Sequence, residues 1–257
     1  MDLAQLAGGS LVAFVLVLAR VGGLFVFAPF FSARMIPVPV RLSCAAGLAL
    51  TIAPIATAGQ TITSDGLVVA GLILKEMAVG LAFSFALGAL VAAVQAGAGL
   101  LDALIGFSLA AIIDPITNLQ NAILGQFYSM FTVMILVMTG GDHFIIEGMA
   151  ASYRVVPLDT YPSLNALTGL AMHGFAGVFV IGLEITAPVL MAIVIVDAGF
   201  ALVSRAVPQM NVYIVGLPAK IATGFVVLAA SLPFVATHLQ SDLESAVRTA
   251  LNGLGVP

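Results

Sequence analysis

Five stretches of this chain run without a single Asp, Glu, Lys or Arg: 42–64, 77–101, 115–141, 160–183 and 221–241. A helix that crosses a bilayer needs about 20 mostly apolar residues at about 1.5 Å rise each, and every one of these runs meets that length. A sixth run, 3–19, continues as an apolar pattern beyond Arg20 to Phe31. Barrel strands would alternate apolar and polar residues over about 10 positions, and these runs do not alternate. The expectation is an all-α integral membrane-type protein with six helical passages, several of them overlong or broken.

Composition agrees. Hydrophobic residues make up 61% of the 257 and charged residues 8%, where a typical soluble domain carries about a quarter. Too few polar side chains remain to clothe a water-facing surface, which argues against an ordinary cytosolic enzyme and against a disordered tail. A net charge of −4 offers no basic face for nucleic acid. The single cysteine, Cys44, rules out a disulfide framework and a cysteine zinc site. No positively charged segment precedes the first apolar run, so that run is expected to remain as a helix rather than be cleaved. Residues 1–257 read as one domain.

Turn residues mark the joins. Ser32 to Pro39 holds two prolines and must leave the helix. Gly59 to Gly66 is a short polar turn, and Asp114-Pro115 breaks another passage. Gly140-Gly141-Asp142 reads as a break with Asp142 as N-cap of a short helix ending near Ser152. Prolines 208 and 218 bracket a further irregular segment. With six passages, Arg34, Arg41, Arg205 and Lys220 share one side and the positive-inside rule makes that side cytoplasmic.

Charges inside apolar sequence carry the chemical signal. Arg20, Lys75, Glu76, Glu184 and Asp197 lie within or between the runs. A charge near a bilayer centre costs about 2.5–3.5 kcal/mol on insertion scales and therefore faces protein or water. Lys75 and Glu76 also fit a helix end from which they snorkel. Glu184 and Asp197 fall about 220° apart on an unbroken helix and face different partners. Glu76, Gly80, Ser84, Gly88, Ala92 and Ala96 recur every four residues. Small residues at that spacing let helix backbones approach closely where lipid supplies no hydrophobic drive, so Glu76, Gly80, Ser84 and Gly88 are the candidate packing positions.

Catalytic motifs are missing. Thr139 interrupts the glycine pattern of an intramembrane aspartyl protease. His143 and Glu147, one turn apart, lack the second histidine of a metalloprotease motif. No catalytic residue, metal site or cofactor is assigned.

The run from Asp197 through Arg205, Pro208, Gln209, Met210, Asn211 and Tyr213, followed by Pro218 and Lys220, resembles the flagellar biosynthetic FliR family. Virulence type III secretion uses a corresponding export-gate subunit from the same family. The resemblance extends over almost the whole chain. It takes in Arg20-Val-Gly-Gly-Leu, Ile36-Pro37-Val-Pro-Val-Arg41, Glu76-Met-Ala-Val-Gly80, Gly106-Phe-Ser-Leu-Ala110 with Asp114-Pro115, Gly140-Gly141-Asp142-His143 and Ser152-Tyr-Arg-Val-Val-Pro157.

The resemblance implies a bacterial inner-membrane subunit of the flagellar basal body, helical and non-enzymatic. Its partners would be FliP-like and FliQ-like subunits and an FlhB-like switch protein. Its long apolar helices and broken hairpins would be buried among those partners and would contact lipid. The assembly would conduct unfolded export substrates, and six plain crossings would then be the wrong topology. The resemblance also places a channel plug at Gly106, Phe107, Ser108, Leu109, Ala110, Ile112, Ile113, Asp114, Pro115 and Asn118. By composition alone that segment is too apolar for a free loop, and a short interfacial helix capped near Asp114 is the other reading. Asp197, Arg205, Pro208, Gln209, Asn211 and Lys220 are assembly candidates. Gln209 and Asn211 suit backbone groups of neighbouring chains or a solvated loop. Asp197 and Arg205, about 80° out of line on a straight helix, could approach a shared partner and are not read as an ion pair. Two other classes stand beside the gate subunit: a small secondary transporter using Glu184 or Asp197, and a membrane scaffold without a pore.

Overall fold

The computed structural model describes residues 3–32, 36–58, 60, 65–107, 123–209 and 211–255, with backbone alone for 3–10, 212 and 213. The described residues are helices joined by short turns. In chain order they are α1 (Leu3–Gly22), α2 (Leu24–Phe27), α3 (Val38–Ala56), α4 (Gly66–Ile105), α5 (Ile123–Met138), α6 (Gly141–Val155), α7 (Leu164–Ala206) and α8 (Val212–Leu254).

Fewer than six spans are recognised among the described residues. Among the described residues, four helices are long and apolar enough to cross a membrane: α3, α4, α7 and α8. A fifth span results if α5 and α6 count as one broken passage. The charge-free runs undercounted helix length because buried or paired charges do not stop a helix. α4 extends the 77–101 run to 40 residues and takes in Lys75 and Glu76. α7 joins 160–183 to the next apolar stretch in 43 residues, through Glu184, Pro188 and Asp197.

Two joins also differ from expectation. α7 ends at Ala206 and α8 already begins at Val212, because Pro218 lies inside α8, as does Pro233. A proline there removes one backbone donor and crowds the carbonyl of the preceding turn, yet the helix runs on past both. The N-cap of α6 is Gly140, not Asp142. Gly140 has φ 75°, a left-handed conformation that glycine takes without the Cβ clash of other residues. The two prolines at the α3 start divide their roles: Pro37 is the N-cap, whereas Pro39 lies in the first turn, where a missing N–H is harmless.

Contacts divide the chain into two compact units. The first comprises residues 1–90, 140–176 and 243–257. Its core gathers Leu16, Val17 and Val21 of α1, Val79, Phe83 and Leu87 of α4, and Ile145 and Met149 of α6. α3 packs against α1, burying Ala45, Ala49, Ile52 and Ala56 at helical spacing. The second unit comprises 91–139 and 177–242. Its core is Val94, Ala98, Leu101 and Ile105 of α4, Leu136 of α5, Ile185, Val189 and Ile193 of α7, and Val235 and Leu239 of α8.

Candidate functional site

In the first unit, Arg20 on α1 is completely buried. Its guanidinium makes a two-pronged contact with Glu76 on α4. Nε donates to Oε2, and Nη2 donates to Oε1 at 3.0 Å. Nη1 donates to Ser152 Oγ at 3.2 Å and Nη2 also to the Val156 carbonyl at 2.8 Å. The Tyr153 ring lies 4.0 Å from the guanidinium carbon, a cation–π contact that desolvation strengthens. The planar fork of arginine suits such a bidentate, stacked position, and lysine would not reproduce it.

Lys75, also buried, lies 2.6 Å from Glu76 Oε1. Its three donors reach the carbonyls of Pro157, Leu158 and Thr160 at 3.0, 3.0 and 3.1 Å. Two cations and one carboxylate are thus bound to each other and to the connection that follows α6. That connection leaves the helix, so its carbonyls have no helical partner. Unpaired, each would cost free energy wherever water is absent. Lys75 and Glu76 therefore do not snorkel from a helix end.

The small-residue ridge of α4 serves two different neighbours. A Cβ on Gly80 would overlap the Arg20 backbone, and one on Gly23 would overlap Gly80. A Cβ on Gly88 would come within 2.5 Å of the Phe27 carbonyl oxygen. Glu76 and Ser84, on the same ridge, are fully buried. Ala92 and Ala96 are exposed instead. A four-residue repeat gains about 40° per step on a 3.6-residue helix, so six positions turn through about 200° and cannot all face one partner. In the second unit α4 presents Ala93 and Gly97, which meet the backbone of Gly182 on α7.

The end of α4 carries a residue that the sequence reading passed over. Asp102 is buried. Both of its carboxylate oxygens accept from Leu124 N at 3.1 Å, and Oδ2 also accepts from Gly125 N at 3.2 Å. It caps α5 from another helix. The available signal was that Asp102 and Asp114 are the only charges between Glu76 and Asp142. α4 stops at Ile105, Gly106 has φ 105°, and the Phe107 ring sits edge-on to Phe225 of α8 at 5.8 Å. The remaining plug candidates, Ser108, Leu109, Ala110, Ile112, Ile113, Asp114, Pro115 and Asn118, lie outside the described residues.

At the α7–α8 join, Asp197 pairs with Lys220, their side chains 44% and 24% exposed. A Cβ on Gly216 would touch the Phe200 ring at 3.7 Å, in the same antiparallel register. Asp197 therefore has a cation across the hairpin, not along its own helix. Arg205, Pro208, Gln209 and Asn211 are exposed in this single chain. His143 and Glu147 approach to 3.5 Å on the exposed face of α6.

Residues 11–246 match the family described as bacterial export proteins, family 1. The chain is 29% identical over 247 residues to the flagellar biosynthetic protein FliR of Bacillus subtilis, covering 95% of each chain. It is 25% identical over 230 residues to FliR of Escherichia coli, covering 88% of this chain and 87% of that one. The surface presentation of antigens protein SpaR of Shigella flexneri is 28% identical over 206 residues, 78% of this chain and 77% of that one.

Proposed function

The chain belongs to family 1 of the bacterial export proteins, and from that premise we propose that it is the FliR-type subunit of a flagellar export gate. It is a membrane component of a type III export apparatus. In this reading, residues 1–257 act as one gate domain in the inner membrane at the flagellar base. FliP-like and FliQ-like subunits and an FlhB-like switch protein complete the channel for unfolded export substrates. The role is structural, and the energy for transport is supplied elsewhere.

The exposed apolar surface of α7 carries the proposal of a hetero-oligomer. Leu164, Met172, Phe175, Phe179, Met191 and Leu202 are all more than 60% exposed. They extend along a helix of 43 residues, about 64 Å at 1.5 Å per residue. A bilayer core is about 30 Å thick, so lipid covers at most part of this surface along the helix even with tilt. Other apolar helices must cover the rest. Purification in mild detergent tests this: the chain should elute in a large complex of several different subunits. Recovery alone or as a homo-oligomer would favour a transporter, and Asp197 is poorly suited to that role because Lys220 already occupies it.

The barrier within the gate is assigned to residues 106–118. Phe107, Leu109, Ile112 and Ile113 are apolar enough to exclude water from a lumen, which gates ions by dewetting. Gly106, whose φ is 105°, supports this by turning the chain out of α4 where the segment begins. Deleting residues 110–113 should raise resting ion leak through the assembled complex. Wild-type leak with normal assembly would leave the interfacial helix as the better reading.

A further inference from the structure

The half of α7 that lies in the first unit has little packing of its own. Of residues 164–176, Leu170 alone is buried. A Cβ on Gly253 of α8 would touch it at 3.4 Å, and one on Gly174 would meet the Phe85 ring of α4 at 3.2 Å. Leu164 and Met172 are 79% and 73% exposed. Helices in proteins draw most of their stability from a buried face, so this stretch depends on how the chain enters it. The entry is tied down. The carbonyls of Pro157, Leu158 and Thr160 all accept from the Lys75 ammonium on α4, and Leu158 is itself buried. The Tyr161 ring lies 6.0 Å from the same nitrogen. Just beyond, Ser163 Oγ accepts from Ala166 N at 3.1 Å and caps α7.

We infer that Lys75 is a positioning residue for α7, fixing the connection so that residues 164–176 stand in place before a partner subunit covers them. This rests on the hetero-oligomer reading proposed above. Ordering a surface in advance removes part of the entropic cost of association. An ammonium suits the task, because one nitrogen presents three rotatable donors to three carbonyls. Without it, α7 keeps its own hydrogen-bond ladder and its Ser163 cap, while the turns leading into it lose their ammonium tie to α4. The bond from Arg20 to the Val156 carbonyl lies upstream of those turns and does not replace it.

The test compares wild type with Lys75→Met and with Leu170→Ala, which loosens the same stretch without touching the ammonium. Spin labels on the exposed Cys44 of α3 and on Ala171→Cys report, in the full chain, how widely the distance between α3 and α7 is distributed. Recovery of partner subunits is measured separately, on unlabelled chains expressed with the rest of the export apparatus. Lys75→Met should broaden the distance distribution and lower partner recovery by about tenfold, the affinity lost when a few side chains must be ordered on binding. Leu170→Ala should do the same. A wild-type distribution in Lys75→Met overturns the inference and spares the hetero-oligomer reading. A broadened distribution with wild-type partner recovery in Lys75→Met also overturns it. If Leu170→Ala then recovers its partners as well, the partner-covered face falls with it. If Lys75→Met is not recovered, Lys75→Gln decides. A wild-type distribution or wild-type partner recovery in that variant overturns the inference, and a broadened distribution with reduced recovery upholds it.

Discussion

The two units set buried charges of opposite sign against their helix ends for the same reason, the carboxylate of Glu76 serving only its two cations. In the first, cations are held at the end of a helix, where α6 gives way to a connection and carbonyls lose their partners. Arg20 serves Val156, and Lys75 serves Pro157, Leu158 and Thr160. In the second, an anion is held at a helix start, where Asp102 serves Leu124 and Gly125. Carbonyls point out of a helix C-terminus and N–H groups out of its N-terminus. Each buried charge matches the backbone end it meets. In a chain with so few charges, those inside mark where the backbone stops satisfying itself.

The strongest way to break this comparison is to remove the counter-charge in the first unit. Glu76→Leu leaves Arg20 and Lys75 buried together without their carboxylate. Breaking a buried pair costs about 3–5 kcal/mol, so recovery of the complex should fall to a small fraction of wild type. Near-normal recovery would mean that the carbonyls alone suffice to hold both cations.

Next comes the crossing that holds the cluster in place. Gly80→Ala and Gly88→Leu push a side chain into the backbones of Arg20 and Phe27. Overpacking costs about 1–3 kcal/mol, and thermal stability of the complex should drop in both. Gly99→Ala is the sharpening control, because its Cβ would meet nothing within 4 Å. A mid-helix alanine there should stabilise by up to about 1 kcal/mol. Equal losses at all three positions would make glycine content, rather than close approach, the relevant property.

The legible part of this molecule was its class and its resemblance. Helices and apolar runs could be read because they are local, and the family because the residues from Asp197 to Lys220 are recognisable. The ridge was half legible: Gly80, Ser84 and Gly88 face inward, but a linear spacing rule ignores the drift that turns Ala92 and Ala96 out. The length of α7 was hidden because Glu184, Pro188 and Asp197 look like stops in one dimension. The charge cluster was out of reach. Arg20 and Lys75 reach residues 136 and 82 to 85 positions away, mostly at backbone oxygens, which leave no trace in residue identity.

Lys75→Met tests the carbonyl end of the cluster alone. It removes three hydrogen bonds but also the surplus positive charge, so the net loss should be about 1–3 kcal/mol, set by the carbonyls of Leu158 and Thr160, since that of Pro157 still accepts from Thr160. Thermal stability below that of wild type but above that of Glu76→Leu is the expected order. The smallest effect belongs to Asp197→Ala. Its pair with Lys220 is partly exposed, and such pairs contribute about 0–1 kcal/mol. Stability should hardly change, and any loss of export should then be traced to partner contact at the hairpin. A large drop in stability would place this pair with the buried charges.

The reach of Arg20 also sets a schedule for making the protein. Its carboxylate partner is 56 residues downstream and its last carbonyl partner 136. At about 5–20 residues per second of synthesis, Arg20 exists for about 3–11 s before Glu76 and for about 7–27 s before Val156. Throughout that interval the first apolar segment carries an uncompensated cation whose insertion costs about 2.5–3.5 kcal/mol. A nascent chain ending before Glu76 should therefore enter the membrane poorly at its first segment, and entry should improve once α4 has emerged. Commitment of the N-terminus to the bilayer is in this way deferred until a helix made later arrives.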